Sequence, residues 1–267
     1  MSTLQDINAV ALERGRRTLA ENLLPGERPA RFLFITISGA HLYGFPSPDS
    51  DIDLRGAHLL SLRETAGLRM PEETYESKGG MVDGIEIDCV SHDLQKYFRL
   101  LANKNGYVLE QIFSPWVVFD GGNLEEIRAL AKGAMTRHVV HHYKGFFRTQ
   151  EKLALKDTAP TVKTVLYLFR VVMTGLHLLR TGVVEANIET LNAGEFKLPF
   201  IGDLIARKRA GAEFGRLKDG ELDRYMDDAK RLELALDPAF ESSCLPETVQ
   251  NFSALNDFLV RMRVGTL

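Results

Sequence analysis

Three aspartates stand at alternate positions, Asp49, Asp51 and Asp53, in the stretch SGAHLYGFPSPDSDIDLRG that runs from Ser38 to Gly56. Carboxylates two apart on an extended backbone point to one side of a strand, where they repel unless a cation lies between them. Magnesium takes hard oxygen ligands, is commonly held by one or two carboxylates, and completes its shell with substrate phosphates and water. Asp51 and Asp53 supply such a pair. Asp88 stands between Ile87 and Cys89 in the apolar run IEIDCV, a setting that rarely tolerates an aspartate without a role. On a neighbouring strand it can help hold a second metal and take the proton of an attacking hydroxyl. Upstream, a strand ending in Ser38-Gly39-Ala40 leaves backbone N–H groups at a tight turn or helix start, a geometry that binds phosphate. Asp49 itself reads as turn chemistry before Ser50.

These groups need elements to carry them. RFLFITISGA reads as a buried strand that delivers Gly39 to its carboxyl end, and DIDLRGAHLL resumes as a strand after the turn residues Gly44, Pro46, Ser47 and Pro48. EETYESKGG and MVDGIEIDCVS form a hairpin turning within residues 79 to 84, with Ile85, Ile87 and Cys89 on one face and Glu86, Asp88 and Val90 on the other. A first helix spans residues 3 to 24 and stops at Pro25-Gly26. Another follows Ser91 as its N-cap, and GYVLEQIFSPWVVF continues helical up to Pro115. From residue 124 helical periods dominate to the end, with a long irregular connection over 183 to 203. The expected division is a core of 1–123 and a helical C-terminal domain of 124–267.

The chain of 267 residues has 45% hydrophobic and 26% charged residues, ordinary globular composition. Its formal charge of −3 supplies no global pull towards nucleic acid, so such binding needs a local basic patch. Cys89 and Cys244 show no metal or disulfide spacing. With no apolar h-region at the N-terminus and no uninterrupted run of 18 apolar residues, the expectation is a soluble, cytoplasmic chain without a membrane span.

Other chemistries fit the residues less well. An EF-hand starting at Asp49 needs glycine and glutamate where Leu54 and Leu60 stand. The manganese-binding D-x-D of a glycosyltransferase suits the glycine turn poorly, and a solvated acidic turn leaves Asp88 without a reason. Arg137 to His142 and Arg170 to His177 have the spacing of HEPN ribonucleases, which chance supplies at this composition. His138 and His142 lack a third zinc ligand. Lys144, Arg148 and Lys152, with Phe146 and Phe147 interleaved, form a stripe suited to an RNA backbone or to water. Arg207-Lys208-Arg209 is similar and reads as a solvated face.

The glycine turn, the D-x-D some ten residues on and the distal aspartate resemble the nucleotidyltransferase superfamily related to DNA polymerase beta. More narrowly, GAHLYGFPSPDSDIDLRG with IEIDCVSHDLQKY and the later EQIFSP from Glu110 is similar to the YcgL or RlaP type of nucleotidyltransferase, a group linked with RNA repair. The resemblance implies an α/β (α+β) fold, a mixed sheet flanked by helices, followed by the all-helical C-terminal domain. It implies metal-dependent transfer of a nucleoside monophosphate from a nucleoside triphosphate (NTP), an RNA 3′ end being the favoured acceptor, with release of pyrophosphate. Asp51, Asp53 and Asp88 are then the catalytic and metal residues, with Mg2+ or Mn2+ as cofactor. Ser38, Gly39, Ala40 and His41 hold the phosphates, and Lys163 and Tyr167, on one helical face with Arg170, either reach the nucleotide or form the solvated edge of a core helix. One departure stands out. The family usually has Gly-Ser where this chain has Gly39-Ala40, which leaves Ser38 or His41 to substitute for the missing hydroxyl and makes a catalytically weak, regulatory or antitoxin-like nucleotide-binding module the alternative.

Overall fold

The computed structural model describes residues 4–23, 31–69, 71–156, 160–210, 215–218 and 220–265, so the expected helix stop at Pro25-Gly26 lies outside the described residues. The chain forms two compact units. The first holds residues 1–42, 51–135 and 248–267, the second residues 43–50 and 136–247. This differs from the 1–123 and 124–267 division expected from the sequence, because the helix after residue 124 and the last helix both belong with the sheet.

In the first unit, α1 (Leu4–Thr18) precedes β1 (Phe32–Ile37), and α2 (Gly39–Tyr43) follows it. Next come β2 (Ile52–His58), the short α3 (Leu62–Thr65), β3 (Thr74–Val82), β4 (Ile85–Asp93), α4 (Leu94–Ala102), α5 (Gly106–Phe113), β5 (Val117–Asp120) and α6 (Leu124–Ala134). The strands make one mixed sheet in the order β3-β4-β2-β1-β5, with β2 and β4 parallel and the other neighbours antiparallel. Strand alternation is strict where it matters. Ile52 and Leu54 of β2 and Ile85, Ile87 and Cys89 of β4 enter a core shared with Ala11 of α1, which leaves Asp53, Arg55 and Asp88 on the opposite face.

The β3–β4 hairpin turns at Asp83-Gly84, both with positive φ (51° and 79°), the conformation of a two-residue turn that matches strand twist. The helix expected to start at Ser91 starts two residues later. Ser91 still pairs in β4, and Asp93 is the N-cap of α4, accepting from the Gln95 N–H at 3.0 Å. The EQIFSP segment ends α5 and ties down β1. Ser114 Oγ donates to the Ile37 carbonyl at 2.8 Å, and the Ile37 N–H donates to the Trp116 carbonyl at 2.9 Å. That fixes the end of the strand from which the glycine turn departs.

The second unit is helical: α7 (Val140–Lys156), α8 (Val162–Thr181), α9 (Ile188–Leu191), α10 (Ile201–Arg209), α11 (Glu221–Leu234) and α12 (Leu236–Glu241). Helix α8 is its axis and packs against α7 and α9 to α12. By length and composition α8 could cross a membrane, although charged residues interrupt its apolar run; 78% of its most apolar window is buried inside the protein. The segment 43–50 is fastened into this unit. Lys208 Nζ, fully buried, donates to Ser47 Oγ at 2.8 Å, and Arg209 Nη2 donates to the Gly44 carbonyl at 2.8 Å. The expectation of a solvated basic face over 207–209 is therefore corrected. Arg207 pairs with Glu221 and Lys208 is interior. The chain then returns to the sheet unit with α13 (Phe252–Val264), whose Arg263 makes a buried ion pair with Asp93 at 2.5 Å.

Candidate functional site

β2 and β4 run parallel in a register that sets Asp53 opposite Asp88, so the two carboxylates are neighbours on one face of the sheet. Their side chains are 30% and 36% exposed, half-open to solvent on the side away from the α1 core. Asp51 is exposed and lies just before β2, close enough for its charge to act on Asp53. Burial pushes the Asp53 carboxyl up to about 6; Arg55 opposes this, while Asp88 and Asp51 add to it.

The turn after β1 is built against the same carboxylate. The Ser38 N–H donates to the Asp53 carbonyl at 2.8 Å. Gly39 opens α2 with φ +62°, and a Cβ there would lie 1.9 Å from Asp53 Oδ2. Only glycine lets the turn and the aspartate approach so closely. Ser38 is 7% exposed and Ala40 is buried. His41 is buried as well, its Nδ1 2.9 Å from Asn8 Oδ1 of α1, so its imidazole has a structural partner.

Lys163 and Tyr167 lie in the second unit, half-buried on α8. Tyr167 meets Tyr43 and Phe45 edge to face at 5.7 and 5.4 Å, and Arg170 is fully buried with its guanidinium 3.8 Å from the Tyr43 ring centre. On the Lys144 stripe, Lys144 Nζ pairs with Asp237 at 2.5 Å. His138 bonds Glu247, and burial lowers His142 to about 4. The structure thus brings together Ser38, Gly39, Ala40, His41, Asp51, Asp53 and Asp88 in one unit.

One residue of the site was not singled out from the sequence. Arg55 Nη2 donates to Asp53 Oδ1 at 2.6 Å and to Asp88 Oδ2 at 3.1 Å. Its place two residues after Asp53 on a strand, hence on the same face, is the signal that could have found it.

The donors suit a hard divalent cation, being carboxylate oxygens paired across adjacent strands and already gathered around a positive group. Among the described residues no three His, Cys, Asp or Glu side chains form a ready-made cage.

A mixed sheet carrying a glycine turn, a D-x-D pair and a third aspartate on the adjacent parallel strand defines a polymerase-beta-like nucleotidyltransferase. Residues 16–261 match the RlaP family, described as an RNA repair pathway DNA polymerase beta family, and the chain belongs to it. Among its relatives, the uncharacterized protein MJ0002 of Methanocaldococcus jannaschii is 33% identical over 161 residues, covering 59% of this chain and 64% of that protein, just under two thirds of its length. The uncharacterized protein YcgL of Bacillus subtilis is 23% identical over 218 residues, covering 76% of this chain and 82% of that protein. A crystal structure of a nucleotidyltransferase-like protein from Exiguobacterium sibiricum corresponds loosely, with TM-score 0.34 and 13% identity over 86% of this chain and 75% of that one.

Proposed function

We propose that this chain moves a nucleoside monophosphate from an NTP to a hydroxyl acceptor, with an RNA 3′ end as the favoured acceptor, and releases pyrophosphate. The observation that carries the reading is the register of Asp53 against Asp88 beside the Gly39 turn. Asp51, Asp53 and Asp88 would hold Mg2+ or Mn2+, which when bound neutralises triphosphate charge and supports departure of the pyrophosphate. The acceptor oxygen attacks the α-phosphorus, its proton passes to Asp88, and the bond to the bridging oxygen breaks with its electron pair leaving on pyrophosphate. Backbone N–H groups of the Gly39 to His41 turn orient the phosphates, with Ser38 beside them. Lys163 and Tyr167 are further proposed nucleotide-binding residues, and a cytoplasmic location fits this substrate.

Ala40 in place of serine favours a second reading, a regulatory module that binds nucleotide without transferring it. Incubation with each α-labelled NTP and Mg2+ separates the two, using RNA with free 3′ hydroxyls, RNA with 3′ phosphates, protein and small alcohols as acceptor pools. The proposal expects label in RNA with free 3′ ends and none in the blocked RNA. Label in protein or small alcohols reassigns the acceptor, and nucleotide binding with no labelled pool supports the module.

A further inference from the structure

The carboxylate pair already holds a cation supplied by the protein. Arg55 lies two residues past Asp53 on β2, and its guanidinium folds back over its own strand, Nη1 donating to the Leu54 carbonyl at 2.8 Å. Nη2 donates to Asp53 Oδ1 at 2.6 Å and Asp88 Oδ2 at 3.1 Å, while Nη1 also donates to Asp88 Oδ1 at 3.3 Å. The guanidinium therefore meets three of the four carboxylate oxygens. The fourth, Asp53 Oδ2, is the one that faces Gly39. Both oxygens of Asp88 are occupied, so a metal that uses Asp88 meets a positive group on the oxygens it needs.

We propose that Arg55 is the resident counter-cation of the Asp53–Asp88 pair, and that a divalent cation takes Asp88 only as the guanidinium gives it up. This rests on the reading that these aspartates hold metal. Two half-open carboxylates on one rung repel, and Arg55 relieves that repulsion in the metal-free protein with charge-assisted bonds at 21% side-chain exposure. A divalent cation relieves it more strongly, but the two positive groups repel one another on shared oxygens. Arg55 is thus a positioning residue that keeps Asp88 engaged until metal arrives, which ties the availability of Asp88 as proton acceptor to metal loading. A permanent ion pair predicts the opposite, with Arg55 fixed on Asp88 and metal confined to Asp51 and Asp53 Oδ2.

The test is Mn2+ titration by calorimetry on the full chain without nucleotide, in native protein, Arg55→Met, Asp88→Asn and the double variant. Competition for Asp88 predicts that Arg55→Met binds Mn2+ about tenfold tighter than native, and that the same change in the Asp88→Asn background gives little gain. Equal gains in both backgrounds would mean a general charge effect, and no gain would mean a fixed ion pair; either overturns the proposal while leaving the metal centre standing. If neither native protein nor Arg55→Met binds Mn2+, the metal reading fails and takes the proposal with it. Should Arg55→Met fail to fold, the side-chain N–H signal of Arg55 in native protein decides by NMR during Mg2+ titration. It shifts as the guanidinium is released, or stays in place and refutes the idea.

Discussion

Asp53 and Asp88 share a rung of the β2–β4 ladder; Asp53 is backed by the Gly39 turn, and Asp88 is bonded through both its oxygens by Arg55. Replacing Asp88 with asparagine keeps volume and removes the proposed proton acceptor. The expected result is a single-turnover transfer rate at saturating Mg2+ lowered about 100-fold or more, with NTP affinity by calorimetry within about threefold of native. Matching losses in both would reduce Asp88 to a simple ligand. At this scale the sequence was most readable where a charge broke a pattern, as Asp88 does between Ile87 and Cys89. It was unreadable where a charge fitted one. Arg55 continues an ordinary polar alternation, and only cross-strand register reveals what its fork meets. Lys208 sits in a run of three cations that reads as surface, yet its ammonium is held inside by Ser47, 161 residues away in sequence.

Among the elements, the Gly39 turn carries the sharpest expectation. Alanine there must adopt φ +62°, which costs on the order of 1 kcal/mol, and its Cβ must displace Asp53 Oδ2 from 1.9 Å. Gly39→Ala should therefore lower the melting temperature by a few degrees while weakening metal and nucleotide binding at least about tenfold. Unchanged affinity would show that the close approach has no bearing on the site. The strands flanking this turn and the β3–β4 hairpin were legible because period-2 alternation and a Asp83-Gly84 turn are local signals. Strand β5 was not: four residues after Pro115 are too few to show alternation, and what makes them a strand is pairing with β1. The N-cap of α4 was misplaced to Ser91 because both Ser91 and Asp93 are good caps, and the parallel pairing with β2 decides between them by extending β4 to Asp93.

The whole molecule is harder to read from local periods, since a helical pattern does not say which unit its apolar face will join. α6 and α13 look like any helix of the second half, yet both pack with the sheet unit, α13 through the buried Arg263–Asp93 pair. The same region contains His58, buried with Nδ1 2.9 Å from Ser91 Oγ. Burial lowers it to about 4, with Asp93 opposing and His92 and Arg263 reinforcing. The unfolded chain takes up this proton near pH 6.5 and the folded chain only near 4, so the stabilisation is complete above about 6.5 and is lost as pH falls through 4. By pH 4 this one group should cost about 3 kcal/mol of folding free energy. Denaturant melts from pH 7 to 4.5 should fall in midpoint, and His58→Gln should flatten that fall; an equally steep fall in the variant would assign it elsewhere.

The central claim, that this carboxylate cluster performs metal-dependent nucleotidyl transfer, is met most directly by one assay. Metal-free protein is mixed with α-labelled NTP and the acceptor pool that takes label, Mg2+ is added, and label transfer is followed beside pyrophosphate release. Native protein is compared with Asp51→Asn and Asp53→Asn, each matched to it by circular dichroism. The account predicts equal yields of labelled product and pyrophosphate only when Mg2+ or Mn2+ is present, and rates at least about 1000-fold lower in each variant. Transfer that proceeds in chelator, or at near-native rate in either folded variant, would contradict it.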